Sequence, residues 1–312
     1  MLLQTDLEHI TFSKDTILTI GTFDGVHLGH QKILNNLIVE AKASGWRSVL
    51  LTFEPHPQMV IRPDRSPQIK ILTTIDEKKK ILEKLGLDAL VVARFDQNLA
   101  SKTGEEFIRD ILVKTIGMSK CVIGHDHVFG KNRSGNYDLM LRLGGIYDYT
   151  VEQIQTFLCE ETVVKSTLIR HLIQDGEIGK ANQFLGRPYA LSGIVVKGDG
   201  RGRTIGFPTA NIIGDPSKLI PKKGIYACRV NYGGRSYNAV TNIGSRPTFT
   251  DDSERIIEIH MLDFKDDIYN ETVQADFLYR IRDEVKFHSA DELKKQISED
   301  IRVALNRGFT TY

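Results

Sequence analysis

The chain has 312 residues, enough for two domains of ordinary size, with 41% hydrophobic and 26% charged residues, the balance of a folded, water-soluble protein. Lys and Arg number 41 against 40 Asp and Glu, so no net field draws the chain to nucleic acid or anionic lipid, and any anion site must be local. Three separated cysteines, Cys121, Cys159 and Cys228, exclude a C-x-x-C metal or redox motif and read as buried free thiols in a reducing compartment.

The opening stretch, Met1 to Phe12, carries Asp6 and Glu8 and has neither a basic nor a long apolar run, so it does not read as a signal peptide. Apolar runs such as Ala89–Ala93 are far too short to span a bilayer. These features predict a cytoplasmic chain with no membrane partner. Thr16–Ile20 is the first predicted strand. Ile33, Leu34, Leu37, Ile38 and Ala41 then repeat at helical spacing. Ser48–Phe53 is a second buried strand. Thr74 and Glu77 form a capping box for a helix carrying Ile81, Leu82 and Leu85 and stopping at Gly86. Ala89–Ala93 is a third strand. A second capping box, Thr103 with Glu106, opens a helix that ends at Gly117, and Cys121–Ile123 is a fourth strand. This alternation predicts an α/β domain, a Rossmann-like parallel sheet with helices on both faces and its ligand at the carboxyl ends of the strands.

The pattern changes near Gly186, after a helical stretch over Ser166–Leu185. Tyr226, Cys228, Val230 and Tyr232 alternate with Ala227, Arg229 and Asn231, the period of a half-buried strand. Gly233-Gly234 supplies a two-residue hairpin turn. Thr272–Tyr279 is strand-like again. Short strands with Gly and Pro turns predict an antiparallel barrel or sandwich. A closing helix over Asp291–Leu305 presents Leu293, Ile297, Ile301 and Leu305 to cover it. The expected domains are residues 1–183 and 184–312.

Two segments carry chemistry. Gly21-Thr-Phe-Asp-Gly-Val-His-Leu-Gly-His30 runs from the first strand into the first helix. Small residues at Gly21, Gly25 and Gly29 let backbone amides approach phosphate, and a helix N-terminus adds positive potential. His27 and His30, three apart, face the same side of the first turn and can donate to a phosphate gaining charge. Phe23 belongs to the same loop, and Asp24 either orients the loop or a metal, or caps the following turn. Gly193 to Asn211 holds a glycine-rich loop with Gly198, Gly200, Arg203 and Gly206, followed by Pro208-Thr-Ala-Asn211. Such a loop can close over phosphates, and Thr209 and Asn211 supply oxygen ligands suited to Mg²⁺.

The first segment resembles the HxGH signature of the nucleotidyltransferase superfamily, in the form carried by the bacterial bifunctional riboflavin kinase/FAD synthetase family. Thr52-Phe-Glu-Pro-His-Pro57 resembles that family's second motif, and Lys165-Ser-Thr-Leu-Ile-Arg170 its S-T-x-I-R segment, which implies ATP-phosphate contacts for Ser166, Thr167 and Arg170. Gly124-His-Asp-His-Val-Phe-Gly-Lys-Asn-Arg-Ser-Gly135 resembles its flavin segment, which implies flavin contacts for Asp126, His127, Phe129 and Arg133. His127 replaces the family's aromatic residue and still offers a planar ring. Metal binding by His125 and His127, two apart on a strand face, competes with that reading. Downstream, the glycine loop with Gly206-Phe-Pro-Thr-Ala-Asn211 resembles the riboflavin kinase signature. Pro221–Tyr226, Asn242–Phe249, Glu258–Phe264 and Arg282–Phe287 match that domain as well.

The resemblance implies a Greek-key barrel in which Thr209 and Asn211 hold Mg·ATP, Glu258 is the base for the riboflavin 5′-hydroxyl, and Arg282 and Glu284 contact flavin. It implies riboflavin phosphorylation to FMN in the barrel and adenylylation of FMN in the first domain, with catalysis by His27, His30 and Arg170. ATP, Mg²⁺ and flavin are the implied small molecules, with no nucleic-acid partner and room for a weak homo-oligomer. Tyr269-Asn270 stands where the family has Tyr-Gly; Asn still adopts the left-handed conformation. The alternatives are an HxGH adenylyltransferase for another phosphorylated metabolite with a non-catalytic barrel, an OB-like nucleic-acid reader, and a flavin sensor.

Overall fold

The computed structural model describes the chain apart from His9, Thr11, Ser13, Asp199, residues 246–254, Thr311 and Tyr312, and apart from the Arg201 side chain. Its contacts divide it into two compact units, Met1–Lys165 and Ser166–Tyr312. This boundary and the expected one after residue 183 differ by two helices.

The first unit is built on a parallel sheet. Its strands are β1 (Leu2–Gln4), β2 (Thr16–Ile20), β3 (Arg47–Glu54), β4 (Ala89–Arg94), β5 (Met118–Gly124) and β6 (Thr150–Ile154), in the order β1-β4-β3-β2-β5-β6. A short hairpin, β7 (Leu158–Cys159) with β8 (Thr162–Val163), follows. The helices are α1 (Leu28–Ser44), α2 (Pro57–Ile61), α3 (Ile75–Leu85), α4 (Gln97–Ser101), α5 (Gly104–Glu106), which continues as a π-helix over Phe107–Thr115, and α6 (Tyr137–Tyr147).

Alternate strand residues serve opposite helical layers. Ile17, Leu50, Leu90 and Val122 meet Leu34, Leu37, Ile38 and Leu82 of α1 and α3. Leu18, Leu51, Val91 and Cys121 meet Phe107, Ile108, Leu112 and Met140 on the other side. Both expected capping boxes are present, at Thr74–Glu77 and Thr103–Glu106, and α3 stops at Gly86 in the left-handed conformation (φ 86°). After β2 the chain adds β3 and β4 on one side, then crosses to place β5 on the other. The switch therefore lies between β2 and β5, where ligands of such sheets bind.

The second unit is a closed antiparallel barrel in the order β10-β13-β12-β11-β14-β9. Its strands are β9 (Tyr189–Val196), β10 (Ala210–Gly214), β11 (Gly224–Tyr232), β12 (Arg235–Ser245), β13 (Arg255–Met261) and β14 (Thr272–Arg282). The helices are α7 (Ser166–Asp175), α8 (Ile178–Leu185), α9 (Arg201–Thr204) and α10 (Ala290–Arg307). The α7 and α8 pair belongs with the barrel because Asn182 of α8 bridges two strands. Its amide donates to the Phe277 carbonyl at 2.8 Å, and its carbonyl accepts from Tyr189 N at 2.7 Å. The expected hairpin turn forms with Gly233 and Gly234 both at positive φ (55° and 76°), the pair that a two-residue turn between twisted strands requires. Asn270 takes the expected left-handed conformation (φ 66°).

Several details differ from expectation. Tyr226, Cys228 and Val230 fill the barrel, but Ile225 and Ala227 on the other face of β11 are buried too, because α10 lies over them. Within α10, Leu305 is exposed, and Asp300 and Ala304 face the barrel instead. Of the three thiols, Cys121 and Cys228 are buried and Cys159, on the β7–β8 hairpin, is only half-buried; all three are free.

Asp300 explains the rotation of α10. It is 2% exposed and receives a two-point hydrogen bond from Arg282, with both N···O distances 2.7 Å. Removing one partner of a desolvated pair strands the other, at a cost of roughly 3 kcal/mol. Asp300→Ala is expected to lower the unfolding free energy of the second unit by about that amount in urea unfolding, and Asp300→Asn by less.

Candidate active sites

The loop from Gly21 to His30 leaves the carboxyl end of β2 at the switch point of the sheet. Phe23 (φ 42°) and Val26 (φ 38°) hold backbone conformations that side chains other than glycine rarely adopt. Such strain persists only where the surroundings over-determine it. Asp24 provides one restraint. It is 2% exposed, and its carboxylate accepts from Leu72 N at 2.8 Å and Thr73 N at 3.0 Å. Thr73 Oγ1 in turn accepts from Gly25 N at 3.0 Å. Of the two roles considered for Asp24, the geometry is that of orienting the loop.

His27 is the N-cap of α1, and its Nδ1 accepts from His30 N at 3.3 Å. An Nδ1 used as an acceptor leaves the proton on Nε2, which becomes a donor. The His27 and His30 rings stack, with centroids 3.6 Å apart and planes 18° from parallel, and Phe23 lies 4.6 Å from His30. A Cβ placed at Gly29 would sit 3.2 Å from the His27 ring, so the absence of a side chain there lets the imidazole lie against the helix start. The loop thus brings the His27 and His30 imidazoles to the N-terminus of α1, a setting suited to an anion, while the Gly21 and Gly25 amides are spent on the Leu51 carbonyl and Thr73 Oγ1 and hold the loop in place.

His127 approaches the same loop from the turn after β5: a Cβ at Gly21 would come within 4.0 Å of its ring. Its Nε2 is buried with no hydrogen-bond partner among the described residues. Burial pushes its pKa down to about 4, opposed by neighbouring Asp126. The unfolded state therefore binds more protons between pH 6.5 and 4. The associated stability is present above about pH 6.5 and lost as pH falls toward 4. His127→Phe is expected to keep about 1–2 kcal/mol more stability at pH 5, relative to pH 7, than the wild type in urea unfolding.

The strand argument for a His125–His127 metal pair fails because β5 ends at Gly124 and both histidines lie in the turn beyond it. His125 is exposed, and no cluster of three metal-ligating side chains of the His, Cys, Asp and Glu types exists among the described residues. Phe129 packs between Phe107 and the bare Cα of Gly135, and pairs with Gly135 through backbone hydrogen bonds of 3.0 and 2.8 Å. Asp126 is exposed, 3.8 Å from Lys165, and Arg133 is exposed at φ 59°. Ser166, Thr167 and Arg170 lie on α7, in the second unit.

The structure adds residues to which the sequence assigned no role. Lys78 of α3 is 4% exposed beneath the loop, and its ammonium donates to the Thr22 carbonyl at 2.6 Å and to Thr52 Oγ1 at 3.1 Å. The sequence carried a signal: within Lys78-Lys79-Lys80, only Lys78 falls on the helical stripe with Ile75, Leu82 and Leu85.

On the barrel, strand register assembles the second site. Asn211 of β10 stands opposite Glu258 of β13, which stands opposite Asn242 of β12. Asn242 Nδ2 donates to Glu258 Oε2 at 3.3 Å, and its Oδ1 is buried without a partner among the described residues. Asn242 had been noted only within a longer matching segment, since nothing but register places it beside Glu258. The glycine loop lies close to this row. A Cβ at Gly198 would meet the Asn211 amide at 2.1 Å, and one at Gly202 would lie 3.4 Å from Thr209 Oγ1. Gly200 and Gly206 take positive φ (71° and 88°), and Arg203 is exposed between them. His260 anchors the approach to β10, with Nδ1 2.8 Å from the Pro208 carbonyl. Glu284 lies over Gly244, where a Cβ would come 2.8 Å from its carboxylate and 3.4 Å from Asn242 Nδ2. Arg282 does not face this row with a free guanidinium, being committed to Asp300. Asp199 and the Arg246–Phe249 part of the matching segments lie outside the described residues.

The fold and loops are those of a two-part enzyme of phosphate chemistry, with one nucleotide-type cradle on a parallel sheet and one glycine loop on a barrel. Comparison with known proteins gives the same division. Residues 9–168 match the family model for FAD synthetase, and residues 185–307 that for riboflavin kinase. The bifunctional riboflavin kinase/FMN adenylyltransferase of Escherichia coli K12 is 39% identical over 288 residues, covering 91% of this chain and 90% of that protein. The Bacillus subtilis protein of the same name is 35% identical over 293 residues, covering 93% and 92%. The crystal structure of a macrolide-efflux protein from Streptococcus pneumoniae superposes with TM-score 0.88 at 31% identity, covering 98% of each chain. No described helix of the present chain is long and apolar enough to cross a membrane. The chain belongs to the bifunctional riboflavin kinase/FMN adenylyltransferase family.

Proposed function

We propose that the chain makes FMN from riboflavin and ATP on the barrel, and FAD from FMN and ATP on the sheet, releasing pyrophosphate. The observation that carries this reading is the presence, in one chain, of two differently built glycine-rich loops, each inside the span of the matching family model. Glu258 accepts the proton of the riboflavin 5′-hydroxyl as that oxygen attacks the γ-phosphorus. Asn242 orients the carboxylate, and Glu284 approaches the same row.

The oxygens of Thr209 and Asn211 suit a hard cation, and the bare Cα atoms of Gly198 and Gly202 leave them close to the phosphate loop. These two residues would hold Mg²⁺, which supplies charge neutralisation on the ATP phosphates. On the sheet, the FMN phosphate attacks the α-phosphorus of ATP in line, and no protein nucleophile is needed. The helix N-terminus and the imidazoles of His27 and His30 stabilise the charge that develops. His127 and Phe129 offer planar faces to flavin, with Asp126 and Arg133 beside them.

Adenylyl transfer is assigned within residues 1–183 and riboflavin phosphorylation within 184–312, although the packing boundary falls earlier, at Lys165. The working partners are small molecules in the cytoplasm, not nucleic acid or a membrane. Incubation with riboflavin, ATP and Mg²⁺, followed by chromatography of the flavins, tests the proposal: FMN and then FAD are expected in order. FAD from added FMN but no product from riboflavin would make the barrel a non-catalytic partner. No turnover of either flavin would overturn the reading.

A further inference from the structure

The ammonium of Lys78 is buried beneath the loop from Gly21 to His30. A charge this far from water costs several kcal/mol unless the protein compensates it. Its hydrogen bonds go to two neutral oxygens, the Thr22 carbonyl at 2.6 Å and Thr52 Oγ1 at 3.1 Å. Thr52 is fully buried and donates its own hydroxyl proton to the same Thr22 carbonyl at 3.1 Å. Two donors thus converge on one backbone oxygen at the start of the phosphate loop. Asp24 and Glu54 supply the compensating negative field around the ammonium.

The peptide linking Thr22 to Phe23 is planar and trans, so its N–H points opposite to its C=O. A carbonyl drawn inward by Lys78 and Thr52 turns the Phe23 N–H outward, on the loop that carries His27 and His30. Phe23 is also one of the two side-chain-bearing residues of this loop at positive φ, a conformation that calls for outside restraint. We infer that Lys78 and Thr52 are positioning residues of the adenylyl-transfer site, fixing the Thr22–Phe23 peptide so that the Phe23 amide donates to the nucleotide phosphate. This gives the Thr52-Phe-Glu-Pro-His-Pro57 segment a part in the reaction through its hydroxyl and the field of Glu54. The inference rests on the adenylyl-transfer reading of the first site.

A donor aimed at developing charge acts on the transition state more than on bound substrate, so its loss falls on kcat rather than KM. The test compares Lys78→Met, Thr52→Val and Thr52→Ser in the full chain, with FAD formation from FMN and FMN formation from riboflavin measured on the same preparations. Lys78→Met is expected to lower kcat for FAD by at least about tenfold, with KM for ATP changed by less than about threefold. The near-isosteric Thr52→Val, which keeps the packing and lacks only the hydroxyl, is expected to lower kcat in the same way by about threefold or more, and Thr52→Ser to restore it. FMN formation should stay within about twofold throughout, since independent sites do not couple.

Wild-type kcat in both Lys78→Met and Thr52→Val would overturn the inference. So would a loss confined to KM, or a Thr52→Ser variant that behaves like Thr52→Val. A wild-type chain that forms no FAD would remove the adenylyl-transfer reading itself, and this inference with it.

Discussion

His30→Ala is expected to lower the rate of FMN conversion to FAD by about 10²–10³-fold, the usual cost of removing one preorganised donor to a developing anion. The ring lies in the first turn of α1, stacked 3.6 Å from His27 and 4.6 Å from Phe23, so both its neighbours belong to the loop. Alanine is the best helix former, so α1 should keep its stability. His27→Ala would be a less clean test, because His27 is also the N-cap of α1, and an N-cap contributes about 1 kcal/mol in its own right. Riboflavin phosphorylation on the same molecules is the internal control and should stay within about twofold, because distant sites act independently. A folded His30→Ala chain that lost both activities would end the assignment of one reaction to each unit. Full FAD activity would confine the stacked pair to a structural role.

The sheet was legible where burial on both faces leaves continuous apolar runs. Val49-Leu50-Leu51 and Ala89 to Ala93 cannot be mistaken, and their capping boxes and glycine stops mark the helices between them. The edges were not legible. Leu2–Gln4 and Thr150–Ile154 are short or half-exposed, so neither carries the continuous buried run that marks the central strands. The barrel was legible by its period of two, and of the face expected for the helix covering it Leu293, Ile297 and Ile301 are half-buried, with Leu305 alone exposed. Leu305 reads as a core residue and Asp300 as a solvated one. Their exchange follows from Arg282, an ion-pair partner that helical spacing cannot reveal.

The same limit governs the sites. The cradle from Gly21 to His30 is contiguous, so its glycines and histidines could be read in order, and most of it is brought together within ten residues. Lys78 and Thr52 reach that loop from two other segments. Their roles depend on which way one peptide plane faces, a property with no signature in residue type. On the barrel, the approach of the loop to Asn211 was foreshadowed by its glycines. The neighbour of Glu258 was not, because Asn242 is sixteen positions away and only the antiparallel register sets it opposite. Sequence shows chemistry that is local; register and burial supply the partners that aim it.

That register makes Glu258→Gln the sharpest test of the barrel. Glutamine keeps the length of the side chain and can still accept from Asn242 through its amide oxygen, so the row from Asn211 to Asn242 is retained. What it removes is the ability to take a proton. If Glu258 is the base, FMN formation from riboflavin should fall by about 10²–10⁴-fold, while FAD formation from supplied FMN is unchanged. Removing an orienting contact alone would act differently. Asn242→Ala leaves the carboxylate in place but frees it from its 3.3 Å hydrogen bond, so its effect should be smaller than that of Glu258→Gln. The double variant should then lose little more than Glu258→Gln alone, because residues acting as one unit are strongly non-additive. Additive losses would mean that Asn242 meets the substrate independently of Glu258. A Glu258→Gln chain retaining a tenth or more of the wild-type rate, well above the range for loss of a general base, would leave Glu258 an orienting group and require another acceptor for the 5′-hydroxyl proton.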